Sequence, residues 1–265
     1  MRVTTSRAKF AGLALIAALC AGFTLGLTAP AWGHEDKLAH PNQLDEHLRE
    51  VFLDKSYERG EAAFVRGDYE TALREWRPLA EQGYAYVQYA LGLMYGKGRG
   101  VSQDYAEAAN WLRKAAEQGY ASAQFSLGLM YENGEGVTQD YARAVGWWRK
   151  AAEQGYAQAQ YSLGVMYGKG QGIPQDYAKA VKWYRKAAEQ GYAQAQYNLG
   201  LAYGLGQGVP QDLAQAHMWL NLAASRFPYG VKRDISVKSR DDVAKVMTPA
   251  QIAEAEKLAR EWRLK

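Results

Sequence analysis

Glu81-Gln82-Gly83-Tyr84-Ala85 recurs as Glu117-Gln118-Gly119-Tyr120-Ala121, as Glu153-Gln154-Gly155-Tyr156-Ala157 and as Glu189-Gln190-Gly191-Tyr192-Ala193. The spacing is 36 residues each time. A fixed period of this length marks a repeat array, in which a unit too small to bury its own apolar face stacks on copies of itself. Arrays of this kind present extended surfaces to partners and seldom enclose a catalytic pocket.

Each period reads as helix, glycine loop, helix. In the first helix Leu91, Gly92 and Tyr95 return as Leu127, Gly128 and Tyr131, as Leu163, Gly164 and Tyr167, and as Leu199, Gly200 and Tyr203. An interior glycine costs a helix about 1 kcal/mol relative to alanine. Its presence in every copy predicts close approach of the partner helix, with that helix's alanine column facing it. In the second helix Tyr105, Ala108, Ala109, Leu112, Ala115 and Ala116 share one face. Asp104, Asp140, Asp176 and Asp212 precede this helix in successive copies, where a carboxylate accepts from free N–H groups and meets the positive end of the dipole. Gly119, Gly155 and Gly191 close it at a position that suits left-handed backbone. Trp147 is expected to be the large core side chain of a central copy.

The organisation expected is a leader over 1–33, a flexible lead-in over 34–44 and an irregular helical hairpin over 45–83. Four regular units follow, 84–119, 120–155, 156–191 and 192–227, the last decaying where Ser225-Arg226-Phe227 replaces Glu-Gln-Gly. Residues 228–265 leave the period. Thr248-Pro249-Ala250-Gln251 has the residues of a helix start, with Thr as cap, Pro first and Gln reaching back. That helix is expected to run to about Arg263 and to cover the last apolar face, as the ends of repeat arrays must be covered.

Gly83-Tyr84-Ala85, Leu91-Gly92, Tyr95, Gly98, Gly100-Val101, Asp104-Tyr105, Ala108, Trp111, Ala115-Ala116 and Gly119 together resemble the Sel1-like repeat, and the set recurs in register through about residue 224. Met247 to Ala255 also looks like the closing helix of bacterial members. In the first hairpin Gly60, Ala63, Gly67-Asp68-Tyr69, Ala72 and Trp76 resemble a tetratricopeptide unit. The resemblance implies an α-solenoid of antiparallel helix pairs, and adaptor roles in signalling, envelope regulation or host contact without chemistry of their own. One secreted branch carries a disulfide in each repeat; this chain has no cysteine there. The expected fold is all-α, a right-handed α-solenoid of about five helix-turn-helix pairs with N- and C-terminal capping helices.

The chain has 265 residues, 48% of them hydrophobic, and a formal charge of +4, a composition that suits a folded chain. Arg2, Arg7 and Lys9 precede the first acid, Glu35, so without the leader the balance is 4 − 3 = +1. That gives no electrostatic case for nucleic acid. The leader has a basic start, an apolar run from Phe10 to Leu27 and small residues at Ala29-Pro30-Ala31 or Ala31-Trp32-Gly33. It reads as a secretory signal cleaved after Ala31 or Gly33, which places the protein outside the cytoplasm, periplasmic or secreted. The other reading is an uncleaved anchor, the only route by which the sequence would engage a membrane. The single cysteine, Cys20, lies within the leader behind Leu19, a poor context for lipid attachment.

No reaction chemistry is expected. Gly96-Lys97-Gly98-Arg99-Gly100 and Gly168-Lys169-Gly170-Gln171-Gly172 follow helices and lack phosphate-loop spacing, so they read as turns. His34 and His40 are six apart, where a zinc helix needs four. His217 takes the place of Ala109, Val145 and Val181 and reads as a tolerated neutral histidine. Cleavage after Ala31 would create Trp32-Gly33-His34, whose amine, amides and imidazole suit square-planar Cu(II) or Ni(II); the alternative is an incidental histidine. Apart from that, neither metal nor cofactor is expected. Arg113-Lys114, Arg149-Lys150 and Arg185-Lys186, each followed by a glutamate three or four residues on, read as a solvated, ion-paired outer face.

The candidate partner surface is the other side of the first helices, which in solenoids of the resembling type line the concave side. It comprises Tyr86, Tyr89, Ser122, Phe125, Gln158, Tyr161, Gln194, Tyr197 and Asn198. Two readings of Tyr89, Phe125, Tyr161 and Tyr197 stay open, a ladder of exposed aromatic anchors or packing between units. Tyr86, Ser122, Gln158 and Gln194 read as surface. The partner expected is a protein or peptide segment, with peptidoglycan or another polysaccharide on the aromatic ladder as the alternative.

Overall fold

In a computed structural model of the protein, residues 55–263 are described. The leader, the lead-in with its Trp32-Gly33-His34 site, and residues 45–54 of the first hairpin lie outside them. All secondary structure among the described residues is helical. It divides into two units, one ending at Tyr156 and one beginning at Ala157.

The first unit holds α1 (Lys55–Val65), α2 (Tyr69–Glu81), α3 (Ala85–Lys97), α4 (Tyr105–Glu117), α5 (Ala121–Asn133) and α6 (Tyr141–Glu153). The second holds α7 (Ala157–Lys169), α8 (Tyr177–Glu189), α9 (Ala193–Leu205), α10 (Leu213–Arg226), α11 (Val231–Ala244) and α12 (Pro249–Arg263). Successive helices pack on one another from α1 to α6 in the first unit and from α7 to α11 in the second, and α12 returns across α10. The molecule is an all-α helical-repeat solenoid.

The local chemistry explains the regularity. Asp104 accepts from the N–H groups of Ala106 and Glu107, both at 2.9 Å. Asp140, Asp176 and Asp212 each accept from the amide three residues on. Each cap satisfies donors that the helix itself leaves open. At the far end of α4, Gly119 takes φ 91°, and the N–H of Tyr120 returns to the carbonyl of Ala115 at 3.1 Å. In the loop after α5, Gly136 takes φ 66° and lies so close to the Tyr105 carbonyl that a Cβ would collide with it. That loop thereby rests directly on the start of the preceding unit's second helix.

The interior glycines of the first helices mark close approach, but their neighbour is the large side chain of the second helix rather than its alanines. A Cβ on Gly92 would lie 2.7 Å from Leu112 Cγ, and one on Gly200 would lie 2.8 Å from Leu220 Cγ. On Gly128 and Gly60 it would collide with the indoles of Trp148 and Trp76. The alanine column contributes backbone instead, the carbonyls of Ala108, Ala180 and Ala216 lying within 3.3 Å. This corrects the assignment of Trp147. Trp148 is the fully buried residue, and its Nε1 donates to the Phe125 carbonyl at 3.1 Å. Trp147 is half-buried on the outer face beneath Lys150.

In the second unit the end of the array is closed by side chains. Trp262 of α12 meets Trp219 of α10 edge-on at 4.9 Å, and Val243 of α11 joins Tyr197, Leu220 and Phe227 in a buried cluster. The start of α12 is the reciprocal box expected: Thr248 N–H donates to Gln251 Oε1 and Gln251 N–H to Thr248 Oγ1.

Candidate functional site

The first helices are apolar or small almost all round, and α3 buries ten of its 13 residues. What remains open along them is a strip of half-buried positions. Each unit has its own: Leu93 and Lys97 of α3 with Ser122 and Asn133 of α5 in the first, and Gln158, Tyr161, Ser162 and Val165 of α7 with Gln194 and Asn198 of α9 in the second.

The aromatic column mostly forms the floor beneath this strip. Tyr89, Phe125 and Tyr197 are at most 5% exposed, and Tyr161 is half-buried. Each of the first three rings in the column is covered by the tyrosine 31 residues later. Tyr120 lies 5.2 Å from Tyr89, Tyr156 lies 5.2 Å from Phe125, and Tyr192 lies 5.3 Å from Tyr161. Burial pushes the Tyr192 phenol up to about 12. Tyr197 has no tyrosine at that distance in sequence. Its hydroxyl instead meets Ser239 Oγ of α11 at 3.3 Å. Tyr86, read as surface, is buried: its ring packs between Tyr57 at 6.0 Å and Tyr120 at 6.3 Å, and desolvation drives its phenol pKa far upward. The irregular first hairpin supplies Tyr57, which covers it. Ser122, Gln158, Gln194 and Asn198 are half-buried.

A ladder of amides, not singled out in the sequence, ties successive repeats together within each unit. Gln88, Gln124, Gln160 and Gln196 are all buried. Gln88 donates to the Ala80 carbonyl at 2.9 Å and accepts from Gln118 at 2.7 Å. Gln124 repeats this with Ala116 and Gln154, and Gln190 donates to Gln160 at 2.8 Å. Gln196 still donates to the Ala188 carbonyl, but Arg226 stands where the next glutamine belongs, and Gln196 Oε1 is buried without a donor. The 36-residue recurrence of these glutamines was the available signal.

The basic outer face is built differently from the expectation. Among the described residues the Arg-Lys pairs form no ion pairs with the glutamates that follow them. Lys114, Lys150 and Lys186 fold back over Trp111, Trp147 and Trp183 at 4.1–4.6 Å. Arg143 and Arg185 donate to the hydroxyls of Tyr131 and Tyr203. For Tyr131, burial pushes the phenol up, and the Arg143 and Arg113 guanidiniums more than offset it, leaving a lowered pKa.

His217 is half-buried between the end helices, with Nδ1 lacking a partner. Burial, then the nearby Arg240, lowers its pKa, while Glu256 and Asp241 oppose the shift. The glycine loops are turns, lashed by Gln103, Gln139, Gln175 and Gln211, each donating to a carbonyl at the end of the preceding helix. Among the described residues no three metal-ligating side chains gather, and no helix is long and apolar enough to cross a membrane.

These features define a class: a helical-repeat protein whose repeated residues maintain the packing of each unit and whose variation lies at half-buried positions of its first helices. Residues 85–120, 121–156, 157–192 and 193–226 each match the Sel1 repeat, and the chain belongs to the Sel1 repeat family. A Sel1 repeat protein from Oxalobacter formigenes is 33% identical over 72% of this chain and 83% of its own, with a TM-score of 0.62. A protective antigen of uropathogenic Escherichia coli strains is 42% identical over 65% of this chain, with a TM-score of 0.58. The present chain spans 40% of that antigen's length. No curated protein matches the chain. Sel1 repeats generally mediate protein–protein interaction and serve as scaffolds.

Proposed function

We propose that the protein is an exported, non-enzymatic scaffold that holds a peptide or protein segment along the open strip of its first helices and acts as an envelope or signalling adaptor. The observation that carries this is the contrast between floor and strip. The floor of Tyr89, Phe125 and Tyr197 is aromatic and buried, whereas the half-buried positions over it change from copy to copy: Ser122, Gln158 and Gln194, or Ser162 and Asn198. Rigid support beneath varied polar groups is what selective recognition of a segment needs. Polysaccharide binding on the aromatic ladder has less support, because the rings that would stack on sugars are covered by tyrosines.

The site test is a photo-crosslinking amino acid placed at Gln158 or Gln194, with Lys186 on the outer face as control. The expected result is one discrete adduct in cells from the first two positions and none from the third. Equal adducts from all three would end the groove reading. Export rests on the basic and apolar leader. Cell fractionation with N-terminal sequencing is expected to find a mature chain beginning at Trp32 or His34; an intact leader in the cytoplasmic fraction would contradict it.

A further inference from the structure

One pocket is more specific than the strip around it. It opens in the first unit between α1, α2 and α3, with a floor of Trp76, Tyr89 and Met94 and walls that include Phe64 and Leu93. At its mouth stand two cations, Lys97 and Arg99, and no acid lines it. Arg99 belongs to the loop after α3. Its guanidinium carbon lies 5.1 Å from the centre of the Tyr69 ring and 5.9 Å from that of Phe64. Among the described residues no carboxylate pairs with it and no acceptor takes its N–H groups. A guanidinium held by cation–π attraction to two rings keeps its N–H donors available, and arginine uses such donors to grip a carboxylate through two parallel bonds. The positive charge is peculiar to this repeat. The corresponding loop positions are Glu135, Gln171 and Gln207, and Glu135 is engaged by Asn133 at 3.3 Å.

We infer that this pocket takes a large apolar side chain of the partner segment, with an acidic side chain within two positions of it held by Arg99. An extended segment rises about 3.3 Å per residue, so the two groups span the short distance from an apolar floor to a charged rim. The pocket would act as the selective end of the groove, and in this the inference rests on the function proposed above.

The experiment is selection of a displayed library of random decapeptides on the purified chain, followed by fluorescence anisotropy with the enriched sequences as capped peptides. Enrichment of Leu, Ile, Met or Phe within two positions of Asp or Glu is expected. Affinity should fall about tenfold when the acid becomes its amide, and by a similar factor in Arg99→Gln, as for loss of a charge-assisted hydrogen bond. Leu93→Asp, which leaves both rings beside Arg99 in place, should weaken the same peptides, and Arg99→Glu should bind again when the peptide acid becomes Lys. Circular dichroism confirms that each variant is folded. Four results would overturn the inference: no enriched sequence, enriched sequences without an acid, dependence on a free C-terminal carboxylate, or indifference to Arg99→Gln. Adducts at Gln158 and Gln194 would still stand in those cases, so failure of this pocket is separable from failure of the groove.

Discussion

Trp148 occupies the space that Gly128 leaves open and sits under complete cover, whereas its neighbour Trp147 lies half in solvent beneath a lysine. Trp148→Ala is therefore expected to lower stability by about 3–5 kcal/mol and Trp147→Ala by no more than about 1–2 kcal/mol. Urea unfolding followed by circular dichroism separates the two, and equal losses would contradict this packing. Arg226→Gln should restore the missing rung at Gln196 and raise stability by about 1 kcal/mol; an unchanged unfolding midpoint would show that the orphaned oxygen is already satisfied. His217 gives a pH signature. Its folded pKa lies below the unfolded value of about 6.5, so the unfolded chain binds the proton first. Stability is expected to fall as pH drops through that value toward the lower folded pKa. His217→Asn should flatten the profile in the same window, and a profile identical to the wild type would remove His217 as its source.

At the scale of helices, Asp104 satisfies two amides at the start of α4, so Asp104→Ala is expected to cost about 1 kcal/mol, with Asp104→Ser recovering most of it. Hydrogen exchange should show the loss concentrated at Ala106 and Glu107; uniform loss along α4 would argue against a local cap. Elements of this kind are legible in sequence because backbone geometry dictates the residue type: a cap wants Asp, and a left-handed closure wants Gly. The core position beside the glycines is not legible in that way. Leu112, Trp148, Tyr184 and Leu220 fill it, and their change of type hides it from self-comparison, whereas the recurrent Trp111, Trp147 and Trp183 draw the eye to a position that is buried at Trp111 but only half-buried at Trp147 and Trp183. The candidate site was half legible for a related reason. Its columns follow from helical spacing, but the burial of Tyr89 and Phe125 depends on rings from the next period, and so on how units stack. Tyr86 was misplaced because its cover comes from Tyr57, in a hairpin outside the period.

Over the whole molecule, stability is shared between neighbours, so an end is costly to expose. A chain stopped after Phe227 loses Val243, Leu258, Ala259 and Trp262 from the clusters around Tyr197 and Trp219. It is expected to melt at lower temperature and to self-associate, seen by size-exclusion chromatography; a monomer with an unchanged melt would show that α11 and α12 do not seal the array.

The cover of each aromatic by a tyrosine 31 residues later has a further consequence. Every period is completed by its successor, so the polypeptide has a polarity in construction and its length is adjustable. Duplicating residues 156–191 between Gly191 and Tyr192 would supply each ring, amide and loop with the neighbour it already has. The stop comes only where Arg226 and Phe227 replace the recurring Gln-Gly and Ser239 takes over from tyrosine. Arrays of this sequence could be lengthened by whole periods without redesign, each added copy extending the strip by one more set of variable positions.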